Sequence, residues 1–90
     1  SDYIMFIKDG EITLNLPTAE ILENYGIAKC DENTFNNIEK QDVKYYRKEK
    51  YQYEVLVDNK DIIKRKYNIN TVDKASIEDI MLFYIKGENK

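Results

Sequence analysis

An α+β fold is what this sequence predicts, on three observations. Near the start, an Asp9-Gly10 pair separates two apolar runs. This is among the strongest short-range hairpin signals, because glycine accepts positive φ without strain. From Ile27 onward, short strand-like runs alternate with capped helical stripes. The chain has ninety residues, 42% hydrophobic and 34% charged, the balance of a globular domain and not of a disordered one.

The elements follow in order. Residues 3–7 (YIMFI) are apolar almost throughout, and residues 11–16 alternate as E-I-T-L-N-L. A strand apolar at successive positions belongs in a sheet covered on both faces, and a hairpin alone is marginal in water. Either the rest of the chain covers this hairpin, or it belongs to a larger sheet and would be displaced, self-paired or poorly ordered without it. Residues 18–25 carry Ile21, Leu22 and Tyr25 as one helical stripe, with Thr18 as N-cap behind Pro17 and Gly26 as the stop. Residues 27–30 read as a strand, and Asp31 caps a helix bearing Phe35 and Ile38.

Residues 43–48 and 51–57 read as paired strands. With a three-residue turn at Lys48, Glu49 and Lys50, Val43 would face Val55 and Tyr45 would face Tyr53, and Lys44 would oppose Glu54. Asp58 with Asp61 resembles a capping box before a helix striped by Ile62, Ile63 and Tyr67. Residues 70–73 make a short strand. Ser76 with Asp79 caps a last helix carrying Ile77, Ile80, Met81 and Tyr84, which stops near Gly87. From Ile27 the order is β-α-β-β-α-β plus a terminal helix, the split-βαβ or ferredoxin-like arrangement. The domain boundary expected from this order lies near Gly26, giving residues 1–26 and 27–90.

Composition excludes several classes of function. Histidine is absent, which removes the commonest general base and metal ligand. The three glycines stand apart, so no Gly-rich phosphate loop can form. Net charge is −3, and only Arg47 and Arg65 are arginines among the 14 basic residues, a poor endowment for gripping phosphates. One cysteine, Cys30, allows no internal disulfide and reads as a small buried hydrophobe in a reducing compartment. The longest apolar run, IMLFYI at 80–85, is far too short to cross a bilayer.

Two stretches together resemble the C-terminal part of the ATP-binding subunits of ABC-type transporters. Asp2, Ile4, Phe6, Ile7, Gly10 and Ile12, followed by Thr18, Glu20, Ile21 and Leu22, are similar to the strand pair and short helix just downstream of that family's switch histidine. Tyr46-Arg47-Lys48, Tyr53–Val57, Ser76-Ile77-Glu78-Asp79-Ile80 and Tyr84-Ile85-Lys86-Gly87 resemble the C-terminal domain appended to bacterial exporter ATPases. The resemblance implies that residues 1–26 close the ATPase core and residues 27–90 form an accessory or regulatory domain without chemistry of its own. It implies that the Walker A, signature and Walker B motifs and the histidine lie upstream. The ninety residues would then hold no catalytic, cofactor or metal site and would not hydrolyse ATP, while the intact parent would use ATP and magnesium to drive transport. Further implications are a cytoplasmic location at the inner face of the membrane, and contact with the parent's ATPase core, with a second protomer and, through the parent, with a permease.

Two other readings bear on the same residues. A ferredoxin-like domain can sense a small molecule through a polar pocket at a sheet edge. The run KYYRKEKYQY interleaves basic residues with tyrosines as RNA-binding sheets do, but the expected glycine is missing from YQYEVLV, so no nucleic-acid partner is expected. Glu78 and Asp79 suit a helix N-terminus better than a metal site. The candidate contact residues are apolar side chains off the docking arc of the last helix or on the first strand: Leu82, Phe83, Ile85, Tyr3 and Met5.

Overall fold

The computed structural model describes residues 2–90. Asp9 and Gly10 both take positive φ, 53° and 80°, as a two-residue type I′ turn requires. They join β1 (Tyr3–Lys8) to β2 (Glu11–Pro17) as an antiparallel two-stranded sheet. Then come α1 (Thr18–Asn24), β3 (Gly26–Cys30), α2 (Glu32–Asn37), a 3-10 turn (Lys40–Asp42), β4 (Tyr45–Lys48), β5 (Tyr53–Val57), α3 (Lys60–Lys66), β6 (Thr71–Lys74) and α4 (Ile77–Lys86). The second sheet has four strands in the order β4-β5-β3-β6, with antiparallel neighbours throughout. The fold is therefore α+β, with two antiparallel sheets and four helices.

Two cores lie on opposite faces of the four-stranded sheet. On one face Ala28, Val55 and Val57 pack with Phe35 and Ile38 from the α2 region and with Ile63 and Ile69 from the α3 region. On the other, Ile27 and Leu56 pack with Leu14 of the hairpin, Ile21 and Tyr25 of α1 and its cap, and Ile80, Phe83 and Tyr84 of α4. The hairpin thus finds cover for one of its faces on this sheet. Side chains from both sides of the boundary expected at Gly26 share this second core.

Local sequence accounts for several helix ends. The Asp31 carboxylate accepts from the Thr34 backbone N–H at 2.8 Å. Ser76 and Asp79 form a reciprocal capping box at 3.1 Å on each side. After α3, Asn68 takes a φ of 54°, and the Asn68 and Ile69 N–H groups donate to the carbonyls of Arg65 and Lys64. That is a Schellman end with asparagine where glycine is commoner.

Other expectations are corrected. Asn59, not Asp58, caps α3 by accepting from the Ile62 N–H. Thr18 is the first residue of α1 and its hydroxyl caps nothing; Pro17 precedes it, supplying a fixed φ without a side-chain cap. Gly26 is no helix stop: it opens the central strand β3, where an added Cβ would stand 2.6 Å from the Lys60 Cβ and 3.0 Å from the Asp73 carbonyl oxygen. The β4–β5 ladder slips three residues from the expected register, pairing Tyr45 with Leu56, Tyr46 with Val55 and Arg47 with Glu54. Both faces of this sheet are covered, so apolar alternation does not choose the register. Aromatic packing matches the observed one: Tyr46 and Tyr53 meet Phe35 on one face, and Tyr45 meets Tyr84 on the other.

The 3-10 turn is fastened to the end of α3 by a polar cluster. The Asp42 carboxylate accepts from Lys66 Nζ at 2.7 Å and from the Tyr67 hydroxyl, and the Tyr67 oxygen accepts from the Glu39 N–H at 3.0 Å. The Lys66 and Tyr67 hydrogen bonds hold the Asp42 carboxyl below the usual carboxylate range, and the same Asp42 bond raises the Lys66 ammonium. A carboxylate whose pKa is depressed on folding stabilises the fold above its unfolded value, near 3.9, and loses that contribution as pH falls through the folded value. Asp42→Asn is therefore expected to lower the urea midpoint at pH 7, with the two proteins converging as pH falls through the folded value of Asp42. A midpoint difference that does not shrink on acidification would show that the charge does not matter.

Candidate interaction surface

The hairpin has an inner and an outer face, and a bulge decides which residues reach each. From the turn, Lys8 pairs with Glu11 and Ile7 with Ile12; the register then shifts, and Phe6 pairs with Leu14 and Ile4 with Leu16. Thr13 is the extra residue, its hydroxyl donating to the Phe6 carbonyl. Without the bulge, Phe6 would oppose Thr13, and Leu14 would turn away from the core. With it, Phe6 and Leu14 point inward together, and Phe6 stacks on Tyr84 at 4.8 Å. The consequence is that Ile12 faces outward with Ile7, against the simple alternation of E-I-T-L-N-L.

The outer face therefore carries Tyr3, Met5, Ile7 and Ile12, exposed by 64, 52, 65 and 60%. On α4, Ile85 is exposed by 66%, and it lines with Ile7 a groove of about 200 Å³ floored by Phe6 and Tyr84. Tyr3, Met5 and Ile85 thus join a larger apolar surface that also includes Ile7 and Ile12. Leu82 is partly exposed on the same helix.

Phe83 belongs elsewhere. It is 3% exposed and sits in the core with Ile80 and Tyr84, so its candidacy as a contact residue is corrected. Successive helical residues are about 100° apart, and α4 is rolled by roughly 50° from the expected docking arc. The roll carries Phe83 inward and Met81 outward. Sequence pattern does not choose between these arcs, since i, i+3, i+4 spacing admits either residue.

Other clefts are polar. One of about 300 Å³ lies between the hairpin, α1 and the sheet, lined in part by Asn15, Glu20, Asn24, Lys44 and Asp58. There Lys44 and Asp58 pair with each other at 3.5 Å. Beside it lie Tyr25 and Tyr84, and burial raises both phenols above their ordinary range. Among the described residues, no three or more Asp, Glu, His or Cys side chains are grouped so as to hold a metal ion. Cys30 is half-buried, its thiol raised by burial and by the neighbouring Asp31. No helix among the described residues is long and apolar enough to cross a membrane.

The aromatic and basic run does not form a stacking platform. Tyr45, Tyr46 and Tyr53 are engaged in the two cores, and only Tyr51, at the β4–β5 turn, stands free at 86% exposed. No family model matches the chain, and neither a curated protein nor a solved structure matches it.

Proposed function

We propose that this chain is a non-catalytic accessory and interaction domain of an ABC-type transporter ATP-binding protein, whose intact form couples ATP hydrolysis to transport. The observation that carries this reading is the surface made by Tyr3, Met5, Ile7, Ile12 and Ile85, five large apolar side chains each exposed by half or more. Isolated exposed apolar residues are ordinary, but a continuous group of them marks an interaction face. On this reading the ATPase core of the parent covers that face, and movements of the core during turnover reach the four-stranded sheet through the hairpin and α4.

The ferredoxin-like reading of residues 27–90 belongs to the same proposal. Read from β6, the strand order β6-β3-β5-β4 with antiparallel neighbours agrees with two interlocked βαβ units, each crossing over through α2 or α3. The protein would then lie at the inner membrane face through its permease. A small-molecule sensor would use the polar cleft at Lys44 and Asp58, but those two charges already satisfy each other. An RNA-binding role would need free aromatic faces where Tyr45, Tyr46 and Tyr53 are packed.

The test is the coding sequence ahead of the Ser1 codon. The expected result is a histidine a few residues upstream, preceded by a Walker B strand, an LSGGQ-like signature and, farther back, a Walker A loop. A start codon immediately ahead of the Ser1 codon, or upstream coding sequence unrelated to these motifs, overturns the proposal.

A further inference from the structure

We infer that β1 is a dimerisation edge, along which a second copy of this chain adds its own β1 in antiparallel register centred on Met5. A comparison of the four sheet edges points to it. The β4 edge is covered by the chain's own tail, where Tyr46 and Glu88 exchange backbone hydrogen bonds of 2.9 and 2.8 Å. The β6 edge has four residues, T-V-D-K, two of them charged. The β2 edge is broken by the Thr13 bulge and ends in Pro17, which has no N–H to donate. These are the devices by which proteins keep edges from pairing. β1 has only one charge, Lys8 at its end, and that ammonium is turned aside to donate to the Tyr84 carbonyl. The strand runs six residues, Y-I-M-F-I-K, without proline, glycine or bulge of its own, and β2 is its one strand partner.

The sequence around β1 is self-complementary in one register. With Met5 opposite Met5 of the second copy, Tyr3 faces Ile7, Ile4 faces Phe6, and Asp2 faces Lys8, each pair occurring twice about the two-fold axis. Inner residues meet inner residues and outer meet outer, because the register sum is even. A slip of one residue would set Tyr3 and Met5 against the core side. A slip of two in either direction sets Lys8 opposite Ile4 or Asp2 opposite Phe6, leaving a charge against an apolar side chain. Charge complementarity at both ends of the strand therefore selects the register and argues for a second copy over an unrelated strand. Pairing uses the edge of β1 and leaves the outer face of the hairpin available, so the inference stands apart from the ATPase reading and does not need it.

Sedimentation equilibrium of the ninety-residue chain from micromolar to millimolar concentration tests this. A monomer–dimer equilibrium is expected. Met5→Lys, which sets two ammonium groups opposite each other at the axis, should weaken it by roughly tenfold or more without lowering the melting temperature of the dilute monomer. Asp2→Lys and Lys8→Glu should each weaken it several-fold, and the two combined should restore it. Because Lys8 also donates to the Tyr84 carbonyl, an arm independent of Lys8 is included. Met5→Cys in a Cys30→Ser background should form an interchain disulfide on mild oxidation, since directly opposed residues of an antiparallel pair lie within disulfide reach. A chain that stays monomeric at millimolar concentration overturns the inference and leaves the edge to a strand of another protein. A dimer indifferent to Met5→Lys, or a Met5→Cys protein that fails to cross-link, overturns it as well.

Discussion

Phe83→Ala is expected to destabilise the chain by about 3–5 kcal/mol, the usual cost of removing a buried phenylalanine side chain. The ring is 3% exposed and lies among Ile80, Tyr84 and the residues of β3, β5 and the hairpin that complete its core. A domain of this size owes its fold to a net stability of roughly 5–15 kcal/mol, so the loss would drop the melting temperature by on the order of 20 °C. Leu82→Ser, one residue away and partly exposed, is the control. Its unfolding free energy should change by well under about 1 kcal/mol, as for a surface substitution. Urea titration of the two variants separates the orientations of α4 directly. If Leu82→Ser proved the costlier of the two, the helix would be rolled the other way.

That roll illustrates what sequence could and could not reveal. The helix itself was legible: Ser76 and Asp79 announce its start by a reciprocal cap, and apolar spacing gives its length. Its rotation was not, because Met81 and Phe83 flank the same stripe and both are large and apolar. The β4–β5 pairing failed for a related reason. Alternation fixes register only where one face is wet, and here Tyr45 and Tyr46 both find aromatic partners, on opposite faces. At the Asp31 cap and the Ser76–Asp79 box the local pattern sufficed, and the Asp9-Gly10 turn followed from backbone φ. At α1 and α3 the expected caps at Thr18 and Asp58 do not form.

The candidate surface was half legible. Tyr3, Met5, Leu82 and Ile85 were identifiable as apolar residues without an obvious core position, but Ile7 and Ile12 were missed. A signal for them existed. A two-residue type I′ turn sets Lys8 opposite Glu11 and Ile7 opposite Ile12, so Ile12 cannot share the inner face with Phe6. That face instead takes Leu14 and Leu16, which requires an extra residue between Ile12 and Leu14. Reading turn geometry before alternation would have placed the bulge at Thr13.

The second large effect concerns the hairpin as a cover. A chain of residues 27–90, lacking β1, β2 and α1, is expected not to fold on its own. In the full chain Leu14, Ile21 and Tyr25 are buried against Ile27, Leu56, Ile80, Phe83 and Tyr84, with Ile4, Phe6 and Leu16 packed beside them. Removing the first twenty-six residues strips that side of the core, while the α2 and α3 side keeps Phe35, Ile38, Ile63 and Ile69 in place. Each large apolar side chain returned to water costs about 1.5–3 kcal/mol. Leu56 and Tyr84 alone would therefore forfeit a large part of a total stability of roughly 5–15 kcal/mol. With only α4 left on that face of the sheet, the half-uncovered apolar surface would favour aggregation. Far-ultraviolet and near-ultraviolet circular dichroism of the shortened chain, with a urea titration, would decide the matter. Loss of the near-ultraviolet signal with residual secondary structure is the expected outcome. A cooperative transition with the midpoint of the full chain would instead make residues 27–90 an autonomous domain. It would reduce the hairpin and α1 to neighbours that rest on the sheet without supporting it.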